Sequence, residues 1–191
     1  SDPDAGPWAL GFVTPYLMDG WVEDSATIDV DGNLFRRIGS GGAAGGGKNG
    51  SKGARGWAVK GDGTKRDVRD AKLPVRIYVR WQSVAEPQTY QGWIEIPESA
   101  QQVMRAALRQ DCQKFPETAS ILKIASVRLG LAPGGVVQIW VLDECMHPVK
   151  VARGQAEIEP KGPDLGRSGY PPMQEASKRY IEQYGIPYGS W

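Results

Sequence analysis

Between residues 73 and 97 polar and apolar positions alternate strictly. Val75, Ile77, Val79 and Trp81 fall on one side of an extended backbone, and Arg76, Tyr78 and Arg80 on the other. That period of two is the mark of a strand with one buried and one wet face. Residues 90–96 repeat the pattern, with Tyr90, Gly92, Ile94 and Ile96 set against Gln91, Trp93 and Glu95. The polar link from Gln82 to Thr89, carrying Pro87, predicts antiparallel neighbours joined by a longer loop. Pro74 and Pro97 stand at the ends, where a missing N–H least disturbs a ladder.

The same reading places the other elements. WALGFV at 8–13 predicts a first strand, and residues 27–38 predict a tight hairpin about Asp31-Gly32-Asn33. Residues 65–72 read as a charged connector. After Pro97 the period lengthens to 3.6: Ala100, Val103, Met104, Ala107 and Leu108 form one stripe, predicting a helix over 98–110. Pro116 and Glu117 open a second short helix through 123. Residues 127–142 predict strand, turn and strand, with Pro133-Gly134-Gly135 as the turn. Trp140 and Leu142 are apolar as well as Val137, Ile139 and Val141, so this strand is expected to be covered on both faces. Residues 149–158 predict a further strand. Residues 173–184 predict a helix with Ala176, Tyr180, Ile181 and Tyr184 on one face and Gly185 as its stop. The sum is an α+β, mainly β chain of about seven to nine strands. They form an antiparallel sheet or sandwich with two or three helices packed on it, in a single domain over 1–191.

Composition changes this picture in one place. Residues 39–63 hold eleven glycines and few large apolar side chains beyond Trp57 and Val59. Ordering such backbone is entropically costly, so a mobile surface loop is expected there. Elsewhere 40% apolar residues, with seven Trp and seven Tyr in 191 residues, supply a sizeable core. A net charge of +1 argues against a partner held by many phosphates, such as duplex nucleic acid. No run of 18 apolar residues is present. The opening SDPDAGPW shows no signal peptide and reads as the start of a mature chain.

Candidate chemistry is sparse. Gly42-x4-Gly47-Lys48 matches the front of a phosphate-binding loop, but Asn49 replaces the hydroxyl that would meet magnesium, and GSKGARG cannot continue as a helix. His147 is the only histidine, and without a G-x-S-x-G elbow it reads as a turn residue before Pro148. The acidic residues Asp29, Asp31 and Asp143-Glu144 read as turn caps; no metal site and no cofactor is expected. Cys112 and Cys145 lie outside any CxxC pair. In an oxidising compartment they would form a disulfide; otherwise they are two buried thiols acting as small apolar side chains.

The glycine-rich loop also carries Lys48, Lys52, Arg55 and Lys60 around Trp57, just after Arg36 and Arg37. Cations and an aromatic ring on adaptable backbone suit a protein-binding surface. Arg36, Arg37, Lys48, Lys52, Arg55 and Trp57 are therefore the expected contact residues, with Trp57 alternatively folding back as the loop's anchor.

Four segments, LPVRIYVRWQSVAEPQTYQGWIEIP, GLAPGGVVQIWVL, VARGQAEI and YGIPYGSW, carry a family resemblance, and IDVDG followed by GSGGAAGGG adds to it. The chain resembles a family of small bacterial lipoproteins that accompany type VI secretion lipase effectors, the Tli-type immunity proteins. The resemblance implies a periplasmic protein, lipid-anchored through an upstream cysteine, that neutralises a cognate phospholipase effector by occluding it. It implies no enzyme and no catalytic residues. The competing expectation is an envelope module that binds a glycan or lipid on its spare tryptophans.

Overall fold

A computed structural model describes residues 2–46, 53–59, 65–116 and 123–191. In chain order the strands are β1 (Trp8–Val13), β2 (Gly20–Asp29), β3 (Leu34–Arg36), β4 (Gly41–Ala43), β5 (Lys65–Val68), β6 (Pro74–Ser83) and β7 (Gln88–Glu95). Helix α1 (Glu98–Arg109) precedes β8 (Ala125–Ala132), β9 (Val136–Leu142), β10 (Pro148–Gln155) and β11 (Glu157–Ile158), and α2 (Glu175–Tyr184) follows. One sheet runs β10-β9-β8-β1-β5 and the other β11-β7-β6-β2-β3, with β4 also paired to β2. All pairings are antiparallel except β1 with β8. The mainly β fold read from the sequence is the fold observed.

The alternation puts Ile77, Val79 and Trp81 of β6 into a core shared with Trp8 and Leu10 of β1, Leu129 of β8 and Ile139 of β9. Each such burial contributes roughly 1.5–3 kcal/mol. The helix stripe joins the same core through Ala100, Met104 and Leu108. Asp29 caps the hairpin turn: its carboxylate accepts the N–H groups of Asp31, Asn33 and Lys72 at 3.0–3.1 Å.

Four expectations need correcting. Strands β6 and β7 stay paired from Arg76↔Glu95 to Ser83↔Gln88, so a tight turn replaces the longer loop. The charged connector opens with β5, an edge strand whose side chains show no apolar period. The single strand at 149–158 breaks at buried Ala156, where the chain leaves one sheet and enters the other as β11. In α2 the covered face is Ser177 with Tyr180 and Ile181; Ala176 and Tyr184 look to solvent. Of the short helix expected at 116–123, residues 117–122 lie outside the described residues.

Two fastenings tie the layers. Cys112, after α1, and Cys145, in the β9–β10 turn, form a disulfide that spans 33 residues. The second is Glu86. Its Oε1 accepts hydrogen bonds from the Tyr90 hydroxyl at 2.7 Å, the Tyr188 hydroxyl at 2.8 Å and the Gly134 N–H at 3.0 Å. One oxygen thus joins the β6–β7 turn, the β8–β9 turn and the C-terminal tail. Gly135 has φ +82°, and a Cβ there would stand 2.8 Å from the Ala156 carbonyl oxygen, so no other residue fits.

Breaking the disulfide releases a loop whose closure stabilises the fold by about 3–4 kcal/mol. Cys112→Ala/Cys145→Ala should lower the unfolding free energy by that order in urea titrations. Burial, then the bond to Glu86, raises both phenols of the clasp, Tyr188 to about 12. A raised pKa means the folded chain holds the proton more tightly. Stability should therefore be intact below the ordinary phenol value of 10.0 and fall as pH climbs from there towards about 12. Glu86→Ala should cost about 3 kcal/mol, by stranding three donors, and should remove the late phenolate step from the ultraviolet titration.

Candidate functional site

β3 and β5 each stand at one edge of their sheets. Between them the sandwich is open, and residues 34–39 and 66–69 enclose a cleft of about 810 Å³. Arg36, Arg37, Arg66 and Arg69 line it, with Asp67 as the lining carboxylate. All four arginines are exposed. Among the described residues none of them has an ion-pair partner.

Local structure explains the placement. Phe35 and Ile38 pack against the core, which leaves Leu34 at the rim with 45% of its surface exposed. Arg37 turns the chain out of β3 with φ +55°, a left-handed backbone that a non-glycine residue adopts only when its surroundings hold it there. The next residue supplies that hold: Ile38 N–H donates to the Ser25 carbonyl of β2 at 3.1 Å. Across the cleft, Arg66 pairs with Leu10 of β1 and lies over the glycine backbone that follows β3. A Cβ at Gly39 would stand 3.6 Å from Arg66 Cδ. That is ordinary van der Waals contact, so the Arg66 stem packs along this stretch of backbone.

Unpaired guanidiniums around a concave surface set up a positive potential that draws in anionic groups. Each is a planar fork matched to a carboxylate or phosphate. Leu34, Phe35 and Val68 set apolar surface beside these charges, so the cleft is complementary in character to acidic groups with apolar neighbours.

Of the contact residues expected from sequence, Arg36 and Arg37 share this cleft. Arg66 and Arg69 were missed because residues 65–72 were read as a connector; the signal was the density of charge, which is how edge strands are guarded. Lys48 and Lys52 lie outside the described residues. Arg55 is exposed but does not line the cleft. Trp57 does not line it either. Its ring meets Trp140 edge-on at 5.1 Å on the outer face of the β8–β9 sheet. Gly130 makes room, since a Cβ there would lie 2.5 Å from one ring and 2.7 Å from the other. Nearby, the Trp191 indole donates to the Ala54 carbonyl at 2.9 Å. This is the geometry of a loop anchor. Residues 41–43 of the same segment form β4 on β2, so Gly42 sits in a strand and not in a phosphate loop.

The other candidates resolve structurally. Cys145 is bridged and holds no thiol. His147 is exposed in the β9–β10 turn, where Asp143 accepts the N–H groups of Cys145 and His147, each at 2.9 Å. Among the described residues no group of three or more His, Cys, Asp or Glu is placed to hold a metal ion. The disulfide marks an oxidising, extracytoplasmic compartment, and among the described residues no helix is long and apolar enough to cross a membrane.

Comparison with known proteins finds one family. A family model described as "Protein of unknown function (DUF2931)" matches residues 2–189. No curated protein and no solved structure matches the chain. With nearly the whole chain inside the matched span, this protein belongs to the DUF2931 family of proteins of unknown function.

Proposed function

We propose that this is an immunity-type binding protein of the periplasm, lipid-anchored upstream, that neutralises a cognate secreted effector by occlusion. The effector is a type VI secretion phospholipase, as the sequence resemblance implies. The observation that carries the reading is the cleft between β3 and β5, where Arg36, Arg37, Arg66 and Arg69 stand without ion-pair partners among the described residues. Cations left unpaired on a rigid margin are ready to meet acidic groups of a protein partner, and they act on association rate and register as much as on affinity. The sheet margin gives the site fixed geometry, and its short, charged strands discourage indiscriminate strand pairing.

A second reading, an envelope module for a glycan or lipid, rests on a different place. Trp57, Trp140 and Trp191 border a cavity of about 470 Å³ that also touches Lys150 and Ser190. Among the described residues, Trp57 Nε1 and Ser190 Oγ are buried there without a hydrogen-bond partner. A hydroxylated ligand would supply partners for both.

The test is pull-down of a secreted lipase effector by this protein, followed by calorimetry and lipase assay on the purified pair. A one-to-one complex that silences the lipase is expected. Arg36→Glu/Arg66→Glu should weaken it at least about tenfold, mostly through slower association and with reduced salt dependence, while thermal stability is unchanged. A lipase neither bound nor inhibited overturns the proposal. Undiminished affinity in the double variant removes the cleft from the interface.

A further inference from the structure

The crossing from β1 to β2 builds a second recess, which shares no lining residue with the arginine cleft. Leu17, Asp19, Trp21, Val84, Pro172 and Met173 are among the residues around it. Its volume is about 140 Å³, equal to a handful of waters at about 30 Å³ each, and so the size of one side chain. Three segments supply its walls: the 17–21 crossing, the turn after β6, and the stretch leading into α2. They are held in place. Met18 N–H donates to the Pro15 carbonyl at 3.1 Å, and Val84 N–H donates to the Asp19 carbonyl at 3.2 Å. Leu17 is kept at φ +67°.

The walls are mostly apolar, yet they contain one carboxylate. Asp19 is half-buried, and among the described residues no hydrogen bond or ion pair reaches its side chain. The contrast with the other acidic residues is informative. Asp29, Glu86 and Asp143 each gather two or three donors. Beside Asp19 stands Trp21, with 47% of its surface exposed although it lies on a central part of the sheet. The glycines of β4 explain that exposure: Gly42 faces the Trp21 ring and carries no side chain to cover it. An indole and an unpaired carboxylate in one small apolar recess are complementary to a planar cation. A guanidinium stacks on the ring and places its N–H fork on the carboxylate.

We infer that this recess is a docking pocket for an arginine side chain of a partner protein, held between Trp21 and Asp19. It is independent of the cleft and stands whatever occupies the cleft. Charge complementarity selects the occupant, because an uncharged side chain would leave the carboxylate desolvated and unanswered. Desolvation by burial also raises the Asp19 carboxyl above its usual pKa, so an empty pocket stores an unfavourable charge.

Nα-acetyl-arginine methylamide serves as the probe, read by the Trp21 indole N–H and the 17–20 amides in heteronuclear NMR spectra. Saturable shifts are expected, with no response to the uncharged norleucine analogue. Trp21→Ala and Asp19→Asn should each weaken binding about tenfold. Asp19→Asn separates recognition from structure. A carboxyl whose pKa is raised in the fold loses stability for the fold as pH rises past the unfolded value, so at neutral pH its replacement by an amide should raise the melting temperature. Weaker binding in a more stable variant is the signature of a site kept for a partner. No saturable shift, an equal response to the norleucine analogue, undiminished binding in Asp19→Asn, or a lower melting temperature in that variant would each overturn the proposal.

Discussion

The sandwich depends at one end on a single carboxylate oxygen. Glu86 Oε1 receives three donors from positions up to 102 residues away in the chain. Hydrogen bonds to a charged acceptor are about twice as strong as neutral ones and hold direction better. The consequence is geometric. With Gly134 fixed to Glu86, the β8–β9 turn presents Gly135 to the Ala156 backbone; Ala156 N–H donates to the Gly135 carbonyl at 2.8 Å. That bond sits where the chain passes from β10 to β11, so the clasp also sets the point at which one sheet hands the chain to the other. The APGG turn is consequently an internal joint with little surface to offer a partner.

A frame held this way asks little apolar burial of its margins. Neither β3 nor β5 exceeds four residues, and neither needs to be longer, because Phe35 and Val68 reach the core from them. The remaining positions are free to carry arginine. A long apolar edge would invite another chain to add a strand; a short, cationic one admits only a partner with matching charge. The same economy appears at Trp57. The aromatic residue that seemed the most suggestive part of the glycine-rich segment is used to anchor it, with Gly130 cleared to receive the ring.

How much of this was legible in the sequence follows from the length of each pattern. In β6 the alternation runs through Val75–Trp81, and in α1 the 3.6 stripe spans Ala100–Leu108, and both were readable because several turns or pleats report the same face. The break at Ala156 was not, since VARGQAEI continues its pattern through the crossing and only tertiary pairing to β7 reveals the change of sheet. For the same reason β5 was invisible: in KRDV one residue, Val68, is buried. Half of the cleft was therefore hidden, although Arg36 and Arg37 were named. Asp19 left no trace in the sequence either, because what sets it apart is a lack of partners in space, and no spacing encodes that.

A net charge of +1 hides a separation of charge. Most acidic side chains that matter to the fold are consumed by it, as caps and clasps. Two groupings lie apart from those caps and clasps: four guanidiniums around one cleft and a carboxylate sunk in an apolar recess. Uncompensated charges of both signs at separate, rigid places constrain a partner more tightly than either sign alone, because a surface that satisfies one in the wrong orientation meets repulsion or an unanswered charge at the other. Such an arrangement stabilises the correct complex modestly and penalises wrong ones strongly. In the binding role proposed for this chain, it would turn away close relatives of the partner.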